Sequence, residues 1–373
     1  MRKRRYLAPW HRKVLDESGL HPEGEEARAA LAALEGKAAI YHCVSRVVNR
    51  EFVLKRAEKE RFVQLMRRYE AFSQVWVRTF CVMSNHFHIL LEVPSAPPDG
   101  GASWSDERLL GHLGLIYDDA KVGRLRWELE HYRAQGNEAG AEAFRARYFA
   151  RMWDLSEYMK ILKQSFTQWF NRKHGRRGVL WEERFKSELV EEGHAARRVA
   201  GYIDLNPVRA GIVKDPKDYR WSGYGEAVAG VKAARTGLRD LLFEEGSTGM
   251  GGERATREVA TMAEVMRRYR VVLFEEGEQG ARDEVKKRAG ISRSRVGKVL
   301  AAGGELSEAE LMWCRTRYFV DGLVIGSESF VNRVFALSRE YFGEKRESGA
   351  RRMRQVATSL CTMRDLRREV LRC

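Results

Sequence analysis

The chain has 373 residues, 44% of them hydrophobic, and its 67 Lys and Arg outnumber its 52 Asp and Glu, which gives a formal net charge of +15. This composition predicts a globular protein with a substantial core and favours two domains, and the lack of any apolar run long enough for a membrane helix excludes a membrane partner. Its five cysteines have no paired spacing, which favours a reducing cytoplasm. The excess of basic residues suits either nucleic-acid binding or a solvated Arg-rich surface.

The first predicted unit, residues 1–36, is a basic arm followed by a short helix. Residues 1–13 contain six Lys or Arg and no acid, with Tyr6 and Trp10 between them. Such an arm can lie along a phosphate backbone while its aromatic rings stack on bases or on the domain surface. A frayed terminus is the alternative.

The second predicted unit, residues 37–245, has an α+β pattern. Apolar residues alternate in some segments and recur at helical spacing in others. The elements are a strand at 38–48, a helix at 55–73, strands at 75–83 and 86–93, a helix at 155–171 and a strand at 179–190. This order predicts a ferredoxin-like βαββαβ antiparallel sheet. Residues at about 100–150 are charged and helical in pattern, and we expect an inserted helical hairpin there.

Two histidines open the strand at 86–93. Strand side chains alternate between faces, so His86 and His88 should share one face while Phe87 points to the other. Two imidazoles about 7 Å apart along a strand can converge on one metal ion. Two ligands alone do not close a metal site, and a pair of half-buried histidines bonded to carbonyl groups is the alternative.

A second motif lies at 202–211. Pro207 disfavours α geometry at the residue before it, so we expect a helix that ends at Asn206. Tyr202 and Asn206 are four residues apart and would share one face of this helix. A tyrosine nucleophile beside an amide metal ligand is one interpretation, and a core tyrosine with an asparagine cap is the other.

His-hydrophobe-His on a strand, followed far downstream by Tyr-x-x-x-Asn-Pro on a helix, resembles the single-tyrosine HUH transposases, in particular the REP-associated tyrosine transposases. The similarity covers about residues 37–228 and includes the segments 41–46 and 180–187. It implies a single-strand DNA endonuclease and strand transferase, in which Tyr202 forms a 5′-phosphotyrosine intermediate. It also implies that His86, His88 and Asn206 hold Mg²⁺ or Mn²⁺, although imidazoles would also accept Zn²⁺.

The implied partner is single-stranded or hairpin DNA, bound in the cytoplasm by a protein that is nucleoid-associated when it holds DNA. Basic side chains near the motifs would contact its phosphates. They are Arg46, Arg172, Lys173, Arg176, Arg177, Arg184, Lys186 and Arg209. The resemblance is compatible with a monomer or a homodimer.

A domesticated relative that recognises repeated palindromic sequences without cutting is the alternative function. The presence of all four implied catalytic and metal residues favours the enzyme. An RNA-binding module is a third interpretation, but the chain lacks the paired aromatic strand motifs of RRM domains.

The Gly-rich segment 246–252 predicts a linker to a basic, mainly α-helical C-terminal domain at 253–373. A helix-turn-helix near 285–300 is one interpretation of that domain, and an ordinary helical corner is the other. We expect a chain that ends near residue 245 to fold without this domain.

Overall fold

A computed structural model describes residues 6–11, 24–243, 261–275, 322–353 and 360–364. The strands of these residues are β1 (Ala39–Arg46), β2 (Trp76–Val82), β3 (His86–Val93), β4 (Lys186–Val190), β5 (Val324–Gly326), β6 (Arg351–Arg352) and β7 (Cys361–Met363). Their α-helices are α1 (Glu25–Leu34), α2 (Arg56–Ser73), α3 (Asp106–Leu113), α4 (Asp119–Ala134), α5 (Glu138–Phe149), α6 (Leu155–Lys173), α7 (His194–Asp204), α8 (Asn206–Arg209), α9 (Gly223–Val228), α10 (Lys232–Phe243), α11 (Met262–Glu275) and α12 (Glu328–Leu337).

The first four strands form the predicted ferredoxin-like sheet in the order β2-β3-β1-β4. β1 pairs antiparallel with both β3 and β4, and β2 pairs antiparallel with β3. The α2 and α6 helices follow β1 and β3 in the chain and pack against each other. The α+β fold class is therefore confirmed.

One face of the sheet packs on α2 and α6. The apolar stripe of α2 is buried there, and the ring of Phe62 lies 4.6 Å from that of Phe87. Phe87, Ile89 and Leu91 all point into this core. Alternation along β3 therefore places His86 and His88 on the opposite face, as the sequence predicts.

The opposite face is covered by α7, α10 and α11. Leu90 of β3 packs there in a second apolar cluster with Val199 and Ile203 of α7 and Val265 of α11. This cluster fixes α7 above the sheet, on the side to which the two β3 histidines point.

The insertion contains three helices, α3, α4 and α5, rather than the expected hairpin of two. The chain turns between α4 and α5 at Gly136, whose φ is +64°, and Asn137 then caps α5 by accepting a hydrogen bond from the Gly140 N–H. These helices bury an apolar cluster of their own, to which Leu110, Leu125 and Phe144 contribute.

Beyond residue 253, the described residues form the helices α11 and α12 and three short strands that extend the first sheet. β5 pairs parallel with β4, β7 pairs antiparallel with β5, and β6 pairs with β7, so the sheet has seven strands. An unpaired strand edge offers N–H and C=O groups that need partners, and β5 supplies them to β4. Residues 285–300, for which a helix-turn-helix is one interpretation, lie outside the described residues.

The two aromatic residues of the N-terminal segment do not lie on the surface, where they could stack on bases. Tyr6 and Trp10 are buried in the main core, with the Trp10 Nε1–H donating to the Lys37 carbonyl at 3.2 Å. They therefore offer no surface to bases, and residues 1–5 and 12–13 lie outside the described part. None of the described helices is long and apolar enough to cross a membrane.

Candidate active site

The two β3 histidines lie side by side on the face that α7 covers. Their ring centroids are 5.1 Å apart with the planes nearly perpendicular. The Nδ1 of His86 is hydrogen-bonded to the Asn85 Oδ1 at 2.7 Å, and the Nδ1 of His88 to the His42 Nε2 at 2.9 Å. Because both rings use Nδ1 for these bonds, Nε2 is the atom through which each would bind a metal ion.

The environment of both rings favours the neutral form. Burial lowers the pKa of His86 to about 4, and the positive charge of Arg46 contributes to that shift. Burial also lowers the pKa of His88 well below its ordinary value, with smaller effects from neighbouring His and Arg side chains. At neutral pH both imidazoles therefore have a lone pair available for a metal.

Tyr202 of α7 lies beside His88 of β3 and His42 of β1. Its ring centroid lies 5.8 Å from that of His88 and 6.1 Å from that of His42, edge to face in both cases. The Arg209 guanidinium lies 4.5 Å from the centre of the Tyr202 ring, and its Nη1 donates to the Tyr202 carbonyl at 3.0 Å. Tyr202 and His88 are more than a hundred residues apart in the chain, and the packing of α7 on β3 brings them together.

Asn206 begins α8 instead of ending the tyrosine helix. α7 stops at Asp204, and Leu205 (φ −83°, ψ −5°) joins it directly to α8. Pro207 is tolerated because the first turn of a helix does not need its N–H. The Asn206 Nδ2 donates to the carbonyls of Tyr202 and Ile203 at 3.0 and 3.2 Å, which leaves Oδ1 as the atom for a metal.

The donor set fits a divalent ion in its chemistry, since it combines neutral imidazoles with an amide oxygen. Among the described residues, no group of three or more His, Cys, Asp or Glu side chains could hold a metal. Within that part of the chain, the Asn206 amide oxygen is the predicted third protein ligand, and water would complete the shell.

Two buried residues of this site, His42 and Glu188, were not predicted from the sequence. They are only 1% and 2% exposed and lie opposite each other in the pairing of β1 with β4. The His42 Nδ1 is 3.6 Å from a Glu188 carboxylate oxygen. His42 sits between Ile40 and Val44 in an alternating strand, and this polar residue in an apolar row was a signal that could have found it.

The predicted DNA-contacting residues are distributed over several elements. Arg46 pairs in register with His86, at the end of β1 nearest the site, and it is exposed. Lys173 donates to Glu58 at 2.6 Å, so part of its charge is already neutralised. Arg176 lies 5.7 Å from the Phe170 ring and is half-buried, as is Lys186 at the start of β4. Arg172, Arg177 and Arg184 are exposed.

Another helical tyrosine, Tyr158 of α6, lies on the other side of the sheet. It is fully buried in the core between α2 and α6, and burial raises the pKa of its hydroxyl well above the usual value. Its position separates it from both β3 histidines.

Comparisons with known proteins agree with the resemblance seen in the motifs. A family model described as "Transposase IS200 like" matches residues 37–98, the segment that holds β1, α2, β2 and β3. The match includes His42, His86 and His88 but ends before Tyr202. It supports the suspected similarity to single-tyrosine transposases.

A solved structure described as "Structure of the REP associates tyrosine transposase bound to a REP hairpin" is similar over 59% of this chain and 94% of that chain, with 16% identity and a TM-score of 0.34. No curated protein matches the chain.

Proposed function

We propose that the protein is a metal-dependent, transposase-like endonuclease and strand transferase that acts on single-stranded hairpin DNA through Tyr202. The observation that carries this proposal is the position of the Tyr202 ring, 5.8 Å from the ring of His88 on the same side of the sheet. A tyrosine and a pair of neutral imidazoles in one place supply a nucleophile and the ligands for a divalent ion.

The reaction is a phosphoryl transfer in two balanced steps. The Tyr202 oxygen attacks the scissile phosphorus and loses its proton to solvent. The bond from phosphorus to the 3′ oxygen breaks, and that oxygen takes up a proton from solvent. The products are a 5′-phosphotyrosine and a free 3′-hydroxyl. A second 3′-hydroxyl then attacks the phosphotyrosine and restores the tyrosine, so no external energy source is needed. A bound divalent ion would polarise the scissile phosphate.

Side chains of this chain perform the remaining tasks. His86 and His88 present neutral Nε2 atoms, and Asn206 both fixes the end of α7 and offers an amide oxygen. The Arg209 guanidinium lies over the Tyr202 ring, so a positive charge faces the side chain on which negative charge develops. Exposed Arg46, Arg172, Arg177 and Arg184 are candidates for phosphate contacts along the strand.

The test uses labelled hairpin DNA with a single-stranded flank, incubated with the full chain and Mn²⁺ and then run on a denaturing gel. We expect a covalent protein–DNA adduct with the wild type and none with Tyr202→Phe, which removes one oxygen and leaves the ring packing unchanged. Tyr158→Phe is the matched control and should retain the adduct, because that side chain is buried in the other core.

Two results would contradict the proposal. An adduct that persists in Tyr202→Phe, or one that peptide mass spectrometry places on Tyr158, would show that the wrong helix was assigned to catalysis. Tight DNA binding by the wild type without any adduct would instead support the non-cleaving relative.

A further inference from the structure

A line of buried polar contacts runs from the C-terminal segment to His88. The backbone N–H of Gly322 donates to the Glu188 Oε1, the Glu188 Oε2 faces the His42 Nδ1 at 3.6 Å, and the His42 Nε2 is hydrogen-bonded to the His88 Nδ1 at 2.9 Å. Glu188, His42 and His88 are each no more than 3% exposed. Of these three residues, only His88 has a role in the proposed reaction.

The direction of these contacts follows from the chemistry of the groups. A carboxylate only accepts hydrogen bonds, so it favours a proton on the nitrogen that faces it, the His42 Nδ1. A neutral imidazole with that proton has an acceptor at Nε2. His88 must then donate its Nδ1–H, which leaves the lone pair on the His88 Nε2.

The opposite direction would prevent metal binding at His88. If His42 carried its proton on Nε2 and donated to the His88 Nδ1, the proton of neutral His88 would lie on Nε2, the atom needed as a ligand. The 3.6 Å separation between Glu188 and His42 is longer than an ordinary hydrogen bond, but in a buried site the carboxylate still selects the nearer nitrogen for the proton.

We infer that Glu188 and His42 are positioning residues that hold His88 in the tautomer with a free Nε2. This inference rests on the proposed function, because it gives that nitrogen its purpose. Partners of this kind behind a metal-binding histidine fix its orientation and tautomer, and their loss typically lowers metal affinity about 10–100-fold.

The C-terminal segment fixes the carboxylate. Leu323 and Leu189 are joined by a hydrogen bond of 2.8 Å from the Leu189 N–H to the Leu323 carbonyl, which places the Gly322 N–H at Glu188. A Cβ at Gly322 would lie 2.6 Å from the Thr362 Oγ1 and 3.2 Å from the Glu188 Oε1, so this approach requires glycine. Residues added beyond the ferredoxin-like core thus reach the site through Glu188.

The first experiment records the histidine tautomers of the full chain without metal, by long-range ¹H–¹⁵N NMR on protein labelled at histidine, with His88 assigned from a His88→Gln sample. We expect the Nδ1–H form for wild-type His88. An Nε2–H form would overturn the inference. This measurement needs neither metal nor cleavage, so it remains informative if the adduct assay for the proposed function fails.

The second experiment titrates Mn²⁺ into the full chain and measures free Mn²⁺ by electron paramagnetic resonance. Glu188→Gln can keep the contact to Gly322 through its amide oxygen while its NH₂ group faces His42. The amide then donates to the His42 Nδ1, so His42 carries its proton on Nε2 and donates it to the His88 Nδ1. We expect Mn²⁺ affinity to fall about 10–100-fold and the His88 signal to change to the Nε2–H form.

Glu191→Gln is the matched control. Glu191 also accepts a backbone N–H from the C-terminal segment, that of Ser327 at 2.5 Å, and its loss reports on that connection alone. Mn²⁺ affinity in Glu188→Gln within about twofold of that in Glu191→Gln would mean that Glu188 has only a structural role. A Glu188→Gln chain that fails to fold leaves the wild-type tautomer to decide the inference.

Discussion

Asp204 is a fully buried carboxyl only two residues after the candidate nucleophile. It accepts hydrogen bonds from the Thr79 Oγ1 at 2.8 Å, the Tyr269 hydroxyl at 2.5 Å and the Tyr224 N–H at 3.1 Å. Burial raises its pKa to about 6 in spite of these three donors. The group therefore joins α7 to β2, α9 and α11, and its charge depends on pH.

We predict that Asp204 makes the protein less stable as the pH rises from about 4 to about 6. The folded chain keeps a proton on Asp204 up to a pKa of about 6, whereas the unfolded chain loses it near 3.8. The unfolded state therefore binds fewer protons in this window, and the free energy of unfolding falls by about 3 kcal/mol across it, at roughly 1.4 kcal/mol per pKa unit. Urea unfolding at several pH values should show this slope in the wild type and lack it in Asp204→Asn. Equal slopes in the two proteins would contradict the assignment.

We predict that His86→Ala or His88→Ala abolishes cleavage while DNA binding stays nearly unchanged. His88 lies beside Tyr202 and His86 lies beside His88, whereas we expect most of the affinity for DNA to come from Lys and Arg contacts to phosphates. Asn206→Ala should be milder, because water can replace a neutral amide ligand. Gel-shift and adduct assays on the same hairpin measure the two properties. Cleavage at the wild-type rate in the double histidine mutant would exclude a metal site here.

At the scale of elements, a buried ion cluster fixes α10 to the sheet. Arg78 of β2 donates to Glu92 of β3 and to Asp240 of α10, and the three residues are 4%, 8% and 6% exposed. A Cβ at Gly237 of α10 would lie 2.5 Å from the Arg78 carbonyl, so glycine permits the close contact between the helix and β2. The cluster sits in the same helical layer as α7.

We predict that Arg78→Met lowers the free energy of unfolding by about 3–5 kcal/mol, because it removes the buried cation that Glu92 and Asp240 share. Asp240 keeps its contact with the more exposed Arg239. The matched control is Arg126→Met in α4, where the arginine and its partner Glu107 are 40% and 71% exposed and the change should be within about 0.5 kcal/mol. Urea denaturation monitored by circular dichroism gives both values. A loss in Arg78→Met as small as in the control would show that this cluster does not hold α10.

The sequence predicted those elements whose periodicity extends over many residues. The α2 stripe and the hairpin of β2 and β3 were placed within a few residues of their observed bounds. The strand predicted at 179–190 proved shorter, since only Lys186–Val190 pairs with β1. β5 and β7 have three residues each, too few to show alternation, and they exist because distant edges pair with them.

In the candidate site too, residues in a local motif were predicted, and residues that depend on distant strand pairing were not. His86, His88 and Tyr202 were found because each belongs to a local motif, and the structure brings them together. Their assigned roles stay predictions. His42 and Glu188 became visible only through the register of β1 with β3 and β4, which places residues from three strands beside one another.

At the scale of the whole molecule, the described C-terminal segments support the candidate site from two directions. Tyr269 of α11 holds Asp204 behind Tyr202, and Gly322 holds Glu188 behind His42 and His88. Arg270 also donates to Asp215 at 2.6 Å and to the Tyr224 hydroxyl at 3.1 Å. These contacts oppose the expectation that a chain ending near residue 245 folds without the rest.

We predict that a chain of residues 1–245 is severely destabilised. Truncation removes side chains that are no more than 1% exposed, and burial of each contributes about 1.5–3 kcal/mol. They are Val265, Tyr269, Leu273, Val324, Ile325, Val331 and Val334. Their combined contribution is on the order of 10 kcal/mol, as large as the whole stability of a typical domain.

The test compares the urea midpoints of the full chain and of residues 1–245, with co-expression of 253–373 as a separate chain for the control. We expect the short chain to be mostly unfolded or degraded, and the second fragment to restore both its folding and adduct formation. The restoration follows from the physics of the interface, because the lost contacts are buried side chains and strand pairs that need proximity and not a continuous backbone. A short chain with the same midpoint as the full protein would show that the ferredoxin-like core is stable alone and that Tyr269 and Gly322 add nothing to it.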